Sequence, residues 1–259
     1  MEGSAGVMAL VLGQTVAGAA ALLWLTPLWS EVKRGYFKLS GVVLAVLAFA
    51  WWRSAAAGLV VGSRAGDWSL RLALATTLIT SAWTALLFLR KQPAARVLGF
   101  FGVPIAMAGV VVMAGTARQA EALALFQLLA GAAFLGAVLD GLLLGHWYLT
   151  DRGLSRGPIN RYTTVLLVAV ALEAAAVISA GFGRVEASAQ INPLLTAGAL
   201  APWIALGMVG TTALIAVLVK AALSGARASA VQSATGFFYL AVVTAFTAEV
   251  AVKVRFLPG

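Results

Sequence analysis

The stretch Gln127-Leu-Leu-Ala-Gly-Ala-Ala-Phe-Leu-Gly-Ala-Val-Leu-Asp140-Gly-Leu-Leu-Leu-Gly-His146-Trp-Tyr-Leu149 decides the fold. It contains no Lys or Arg and a single acid. At about 1.5 Å per residue it is long enough to cross the roughly 30 Å hydrocarbon core of a bilayer as one helix. A basic turn, Asp151 to Arg161, follows it, and then a second apolar run that holds Glu173. Gln127 to Gly183 therefore reads as a helical hairpin through a membrane. With two acids and an imidazole on adjacent helices, it is the first place to look for function.

Composition extends this reading to the whole chain. Of 259 residues, 62% are hydrophobic and 10% charged, and the mean hydropathy is +0.98. A soluble domain of that size has too little polar surface to cover such a content. The rule of about 20 apolar residues per crossing places spans near Gly6–Leu28, Phe37–Trp52, Leu70–Leu89, Val97–Gly115, Ala122–Leu149, Tyr162–Phe182, Leu194–Leu223 and Val231–Val252. The second span is short before Arg53, and its end is left open as far as Val61. The expected fold is an all-α integral membrane protein with eight transmembrane helices. Basic residues number eleven in one set of alternate loops (Lys33, Arg34, Lys38, Arg90, Lys91, Arg96, Arg152, Arg156, Arg161, Lys220, Arg227). The other set has seven: Arg53, Arg64, Arg71, Arg118, Arg184, Lys253 and Arg255. The positive-inside bias then puts the first set in the cytoplasm and both termini outside, in the cytoplasmic (inner) membrane of a bacterium.

In that orientation Trp24, Trp29, Tyr36, Trp147 and Tyr148 fall at the inner interface. Trp51, Trp52 and Trp68 fall at the outer one, completing an aromatic belt. Pro104, Pro193 and Pro202 are placed to kink or cap their helices. The net charge of +9 follows from topology and anionic headgroups rather than from nucleic acid. Met1-Glu2-Gly3-Ser4 lacks the basic n-region of a cleaved signal peptide, so the first apolar segment is read as a retained helix.

Several chemistries are excluded by what the sequence lacks. Without cysteine there is no disulfide, thiolate metal site or iron–sulfur cluster, and a single histidine rules out bis-histidine haem within the chain. There is no phosphate-binding loop, dinucleotide fingerprint or zinc-protease motif, and no lysine at mid-span. No catalytic residue and no metal ligand is assigned. A cofactor would be bound non-covalently, with quinone as the candidate.

The two halves resemble one another. Gln14-Thr-Val-Ala-Gly-Ala-Ala-Ala-Leu22 matches Gln127-Leu-Leu-Ala-Gly-Ala-Ala-Phe-Leu135 at six of nine positions. Each match is followed by a basic turn and a helix that opens near a tyrosine, Tyr36 or Tyr162. Further on, Gly99-Phe-Phe101 matches Gly236-Phe-Phe238, with Arg118 set against Arg255. This order suggests a tandem duplication of four helices, residues 1–118 and 119–259, the halves being parallel because each has an even number of spans. Asp140 then stands where the first half has Pro27, and Glu249 where it has Val112.

A charge at the bilayer centre costs about 2.5–3.5 kcal/mol on insertion scales, so such groups face the bundle interior and find partners. Counted from the basic turn, Asp140 and Glu173 come out at similar depth on neighbouring helices, where they would share a proton; the plainer alternative is a hydrogen bond to a neighbouring helix. His146 suits a proton relay, a donor to a quinone carbonyl, or an interfacial anchor. Glu249 precedes Lys253 by four residues, the favourable order for a surface ion pair, or serves as an outer proton site. Gln14 and Gln127 are read as interhelical hydrogen bonds.

The run Leu143-Leu-Gly-His146-Trp-Tyr-Leu149, with Leu154 and Pro158, resembles a motif of bacterial multi-span membrane proteins of uncharacterised function. Gly13-Gln14-Thr-Val-Ala-Gly18, together with Glu249, Lys253 and Phe256, is similar to the eight-span anchor subunits of DMSO-reductase and polysulfide-reductase type complexes. The histidine and Ser/Arg motifs of that family's second and third helices have no counterpart here. The resemblance implies a membrane subunit that exchanges electrons with quinone on behalf of a cofactor-bearing partner subunit. His146, Asp140, Glu173 and Glu249 would be its quinone-binding or proton-relay groups. A small proton-coupled transporter and a structural or assembly subunit are the alternatives.

Overall fold

The computed structural model describes residues 2–59, 62–117, 120–182, 200–225 and 229–256. Arg118, Arg184, Pro193, Arg227 and the expected start of a span at Leu194 lie outside the described residues. Every element among those described is helical: α1 (Gly3–Leu25), α2 (Leu28–Glu31), α3 (Arg34–Gly58), α4 (Arg64–Phe88), α5 (Gln92–Ala114), α6 (Glu121–Thr150), α7 (Gly157–Ser179), α8 (Leu200–Ser224) and α9 (Ala230–Lys253). A 3-10 turn, Val254–Phe256, closes α9. Apart from the single-turn α2, all are long and apolar enough to cross a membrane, which makes eight spans. The chain has the architecture of a multi-pass membrane protein.

Local chemistry sets the helix ends. Pro27 cannot continue a helix and pushes the residue before it out of the helical region. Thr26 is accordingly extended at ψ 148°, and α1 stops at Leu25 rather than running to Leu28. At the other end of α3, Arg53 does not break the helix, which runs on to Gly58. Ser63 caps α4 by accepting from the Gly66 N–H. Proline in the first turn opens α5 and α7, where its missing donor would have had no partner. Gly181, at φ 73°, provides the left-handed residue that ends α7. Pro104 sits within α5, which continues past it to Ala114.

The helices pack as two four-membered rings. In the first, α1 contacts α3, α3 contacts α4, α4 contacts α5, and α5 returns to α1. In the second, α6, α7, α8 and α9 close on one another in the same order. The rings meet along α1 and α6, which are the most buried of the spans. Both are apolar all round, as a helix must be when protein surrounds it. Their approach depends on small residues: a methyl group added at Gly18 would lie 1.7 Å from the Ala132 carbonyl oxygen, and one at Gly136 would lie 2.4 Å from the Gly18 carbonyl carbon. One end of the bundle, the termini face, carries the start of α1 and the end of α9. The other, the basic face, carries Lys33, Arg34, Arg90, Lys91, Arg152 and Arg156.

Candidate functional site

Three acids among the described residues are fully buried: Asp140, Glu173 and Glu249. They fall into two clusters at different depths in the second ring, one completed by Gln14 and the other by Thr26 and Tyr36 of the first.

The termini-face cluster gathers Gln14 from α1, Gln127 from α6, Glu173 from α7, and Glu249 and Lys253 from α9, none more than 1% exposed. Glu249 Oε2 lies 3.0 Å from Lys253 Nζ. The ammonium also donates to the Gln127 carbonyl at 3.3 Å and lies 5.3 Å from the Phe256 ring centroid. Gln14 Nε2 donates to the carbonyls of Gln127 (3.3 Å) and Leu128 (3.0 Å), while Gln127 Nε2 donates to the Ala176 carbonyl (3.3 Å). Glu173 faces Glu249 and Lys253. Gly131 makes this convergence possible. A Cβ there would lie 2.0 Å from Gln14 Nε2 and 2.5 Å from Glu249 Oε1.

The basic-face cluster surrounds Asp140. Tyr162 Oη donates to Asp140 Oδ2 at 3.1 Å, and Thr26 Oγ1 lies 3.4 Å from the same phenol. Tyr36, fully buried on the first turn of α3, lies close to Asp140 and to Ser40. Tyr36 and Tyr162, the tyrosines near the starts of α3 and α7, therefore converge on one carboxyl. Thr26 reaches the Tyr162 phenol because Pro27 ends α1 at this depth.

Asp140 and Glu173 do not share a proton. Tyr162 meets Asp140 and Ala176 meets Gln127, which leaves the two carboxyls about 15 Å apart along the helix pair. Counting from the turn fails because Arg161 is not at a helix start: α7 opens at Gly157, and α6 continues to Thr150 beyond it. Most residues at intermediate depth, among them Phe134, Leu166, Ala169, Val170 and Ala241, are apolar and buried; the Thr212–Thr244 hydroxyl pair, 2.7 Å apart between α8 and α9, is polar.

Other expectations also shift. Glu249 and Lys253 form their i,i+4 pair in the interior, not at the surface. Tyr36 and Trp51 are fully buried instead of sitting in an interfacial belt. The Trp51 ring fills the space left by Gly13 and Gly109. His146 is exposed on α6 and belongs to neither cluster. Sequence reasoning passed over Thr26, Tyr36, Tyr162 and Lys253 as site residues. A tyrosine near the start of the helix after each basic turn, Tyr36 and Tyr162, was the available signal.

Two further spaces bear on ligands. A cavity inside the first ring, lined by Trp24, Thr76, Thr80 and Trp83, measures about 20 Å³, room for a single water. A larger one, about 490 Å³, lies at the basic face among Tyr148, Arg152, Arg156, Ser229 and Gln232, within the usual range for small-molecule sites. Comparison with family models, curated proteins and solved structures finds no match to the chain.

Proposed function

We propose that the chain is a membrane subunit that takes up and hands on protons, through Asp140 near the basic face and the Glu173–Glu249 pair near the termini face. The observation that carries this reading is the placement of all three buried acids in two clusters on the same packed helices, one toward each membrane surface. Buried intramembrane acids are costly, and their usual return is ion or proton movement. In this proposal the protons serve an electron-transfer complex of the respiratory type in the bacterial inner membrane, with the basic face cytoplasmic. Metal centres belong to a partner subunit. Quinone, where it binds, occupies the 490 Å³ space beside Tyr148 and Arg152, two residues from His146. We infer as well that the two rings descend from one duplicated four-helix unit.

One observation favours a second reading, a small proton-coupled transporter. Between the clusters the Thr212–Thr244 pair is flanked by apolar side chains, which leave no continuous side-chain wire from one cluster to the other, as a carrier with alternating access requires.

The test is proton movement into liposomes holding the full chain and a trapped pH dye, with and without the proteins that co-purify in gentle detergent. Loss of movement in both Asp140→Asn and Glu173→Gln is the expected result. Wild-type rates in both variants would sink the proposal. Substrate-dependent flux by the lone, colourless chain would select the transporter, whereas dependence on a haem or iron–sulfur partner would select the complex.

A further inference from the structure

Counted over the described residues and with both carboxyls ionised, the termini-face cluster is one positive charge short. Glu173 and Glu249 bring two carboxylates and Lys253 one ammonium, all without exposed surface. Among the described residues no other charged group faces them. The only charged residue of α8, Lys220, lies near its basic-face end, and Arg255, beyond Lys253, donates to the Gly181 carbonyl. Gln14 and Gln127 are neutral.

Hydrogen bonding is unbalanced in the same sense. The Gln14 amide spends its donors on the Gln127 and Leu128 carbonyls, the Gln127 amide donates to Ala176, and the Lys253 ammonium is divided between Gln127 and Glu249. Oxygen acceptors are left over: Gln14 Oε1, both oxygens of Glu173, and Glu249 Oε1 accept no hydrogen bond. A proton shared by two carboxyls relieves one such contact. A hard cation gathers several oxygens at once. A net deficit of one selects a monovalent ion over a divalent one.

We propose that this cluster is a one-cation site in which an alkali metal ion, Na+ by its oxygen donors, competes with a proton for Glu173 and Glu249. Lys253 is the fixed counter-charge that holds the stoichiometry at one. The exchange balances simply: Na+ enters as the carboxyl proton leaves to solvent. The inference rests on the proton-handling reading above and adds the competing ion.

The experiment uses the full chain in detergent micelles, weakly buffered, with a pH-indicator dye. Adding NaCl is expected to release about one proton per chain, and choline chloride at equal ionic strength none. Glu173→Gln and Glu249→Gln should each abolish the release, with size-exclusion profiles and melting curves confirming that they fold. Sodium-23 NMR line broadening on the wild-type chain, reversed by acid, tests the same point without a variant. Equal release by choline, or release that survives in Glu173→Gln, would overturn the site. Acid–base titration separates the two claims. A proton uptake that Glu173→Gln removes but Na+ leaves untouched ends the alkali-ion inference while leaving proton handling intact; the absence of any such uptake ends both.

Discussion

A primary ammonium with no exposed surface, Lys253 is held by Glu249 at 3.0 Å and the Gln127 carbonyl at 3.3 Å. Removing one partner of a buried ion pair leaves the other charge uncompensated, at a cost of about 3–5 kcal/mol. Lys253→Met should therefore lower the thermal midpoint sharply. Lys253→Met combined with Glu249→Gln should recover most of that loss, which a double-mutant cycle in melting experiments checks directly. Tyr162 makes a smaller prediction. Its phenol donates to Asp140, and an orphaned buried acceptor costs about 1–3 kcal/mol. Tyr162→Phe should destabilise by that amount, and by much less in an Asp140→Leu background. Equal losses in the two backgrounds would mean that the hydrogen bond is not what Tyr162 contributes.

At the scale of helices, the contact between α1 and α6 is set by backbone rather than by side chains. A methyl at Gly18 would lie 1.7 Å from the Ala132 carbonyl oxygen, and a carbonyl buried in a helix cannot step aside. Overpacking of this kind costs about 1–3 kcal/mol or more, so Gly18→Ala should separate the rings or prevent folding. Gly207, on α8, has nothing within 4 Å of where its Cβ would be. Gly207→Ala should be neutral or stabilising by about 0.5–1 kcal/mol through helix propensity alone. Similar melting curves for the two alanine variants would refute the close approach. Length also matters here. The first ring gives up a helix turn at Pro27, and that shortening brings Thr26 level with Asp140.

Over the whole molecule, the two rings are joined at the basic face by ion pairs between segments distant in sequence. Arg161 clasps Glu31 with two bonds, at 2.9 and 3.0 Å, and Lys33 meets Asp151 at 3.0 Å. The Arg161 guanidinium holds the Glu31 carboxyl below the usual carboxylate range. A lowered folded-state pKa means that the stabilisation is present above the ordinary glutamate range and lost as pH falls through the folded value. Both groups are partly exposed, so the contribution is about 0–1 kcal/mol. Glu31→Gln should lower the melting point slightly at neutral pH and not at acid pH, an effect that shrinks in high salt. Spans were legible in the sequence because apolar length alone defines them, and the paired glutamines because the Gln14 and Gln127 stretches match at six of nine positions. The clusters were not. Tyr36, Tyr162 and Thr26 lie near helix ends, where a sequence reads as interface. Whether Lys253 faces lipid headgroups or protein depends on α6, which is more than a hundred residues away. The depth of Glu173 relative to Asp140 depends on how far α6 overhangs α7, a property of packing that residue counting does not contain.

The Gln127 carbonyl receives an amide from α1 and an ammonium from α9, so three helices from both rings lean on one peptide oxygen. Side-chain mutagenesis cannot remove that oxygen, and a complete substitution scan would leave it in place at every step. The joint is therefore genetically silent. It should reveal itself only to chemistry that edits the main chain, such as an ester in place of the amide between Gln127 and Leu128, which would loosen α1 and α9 together while leaving every side chain intact.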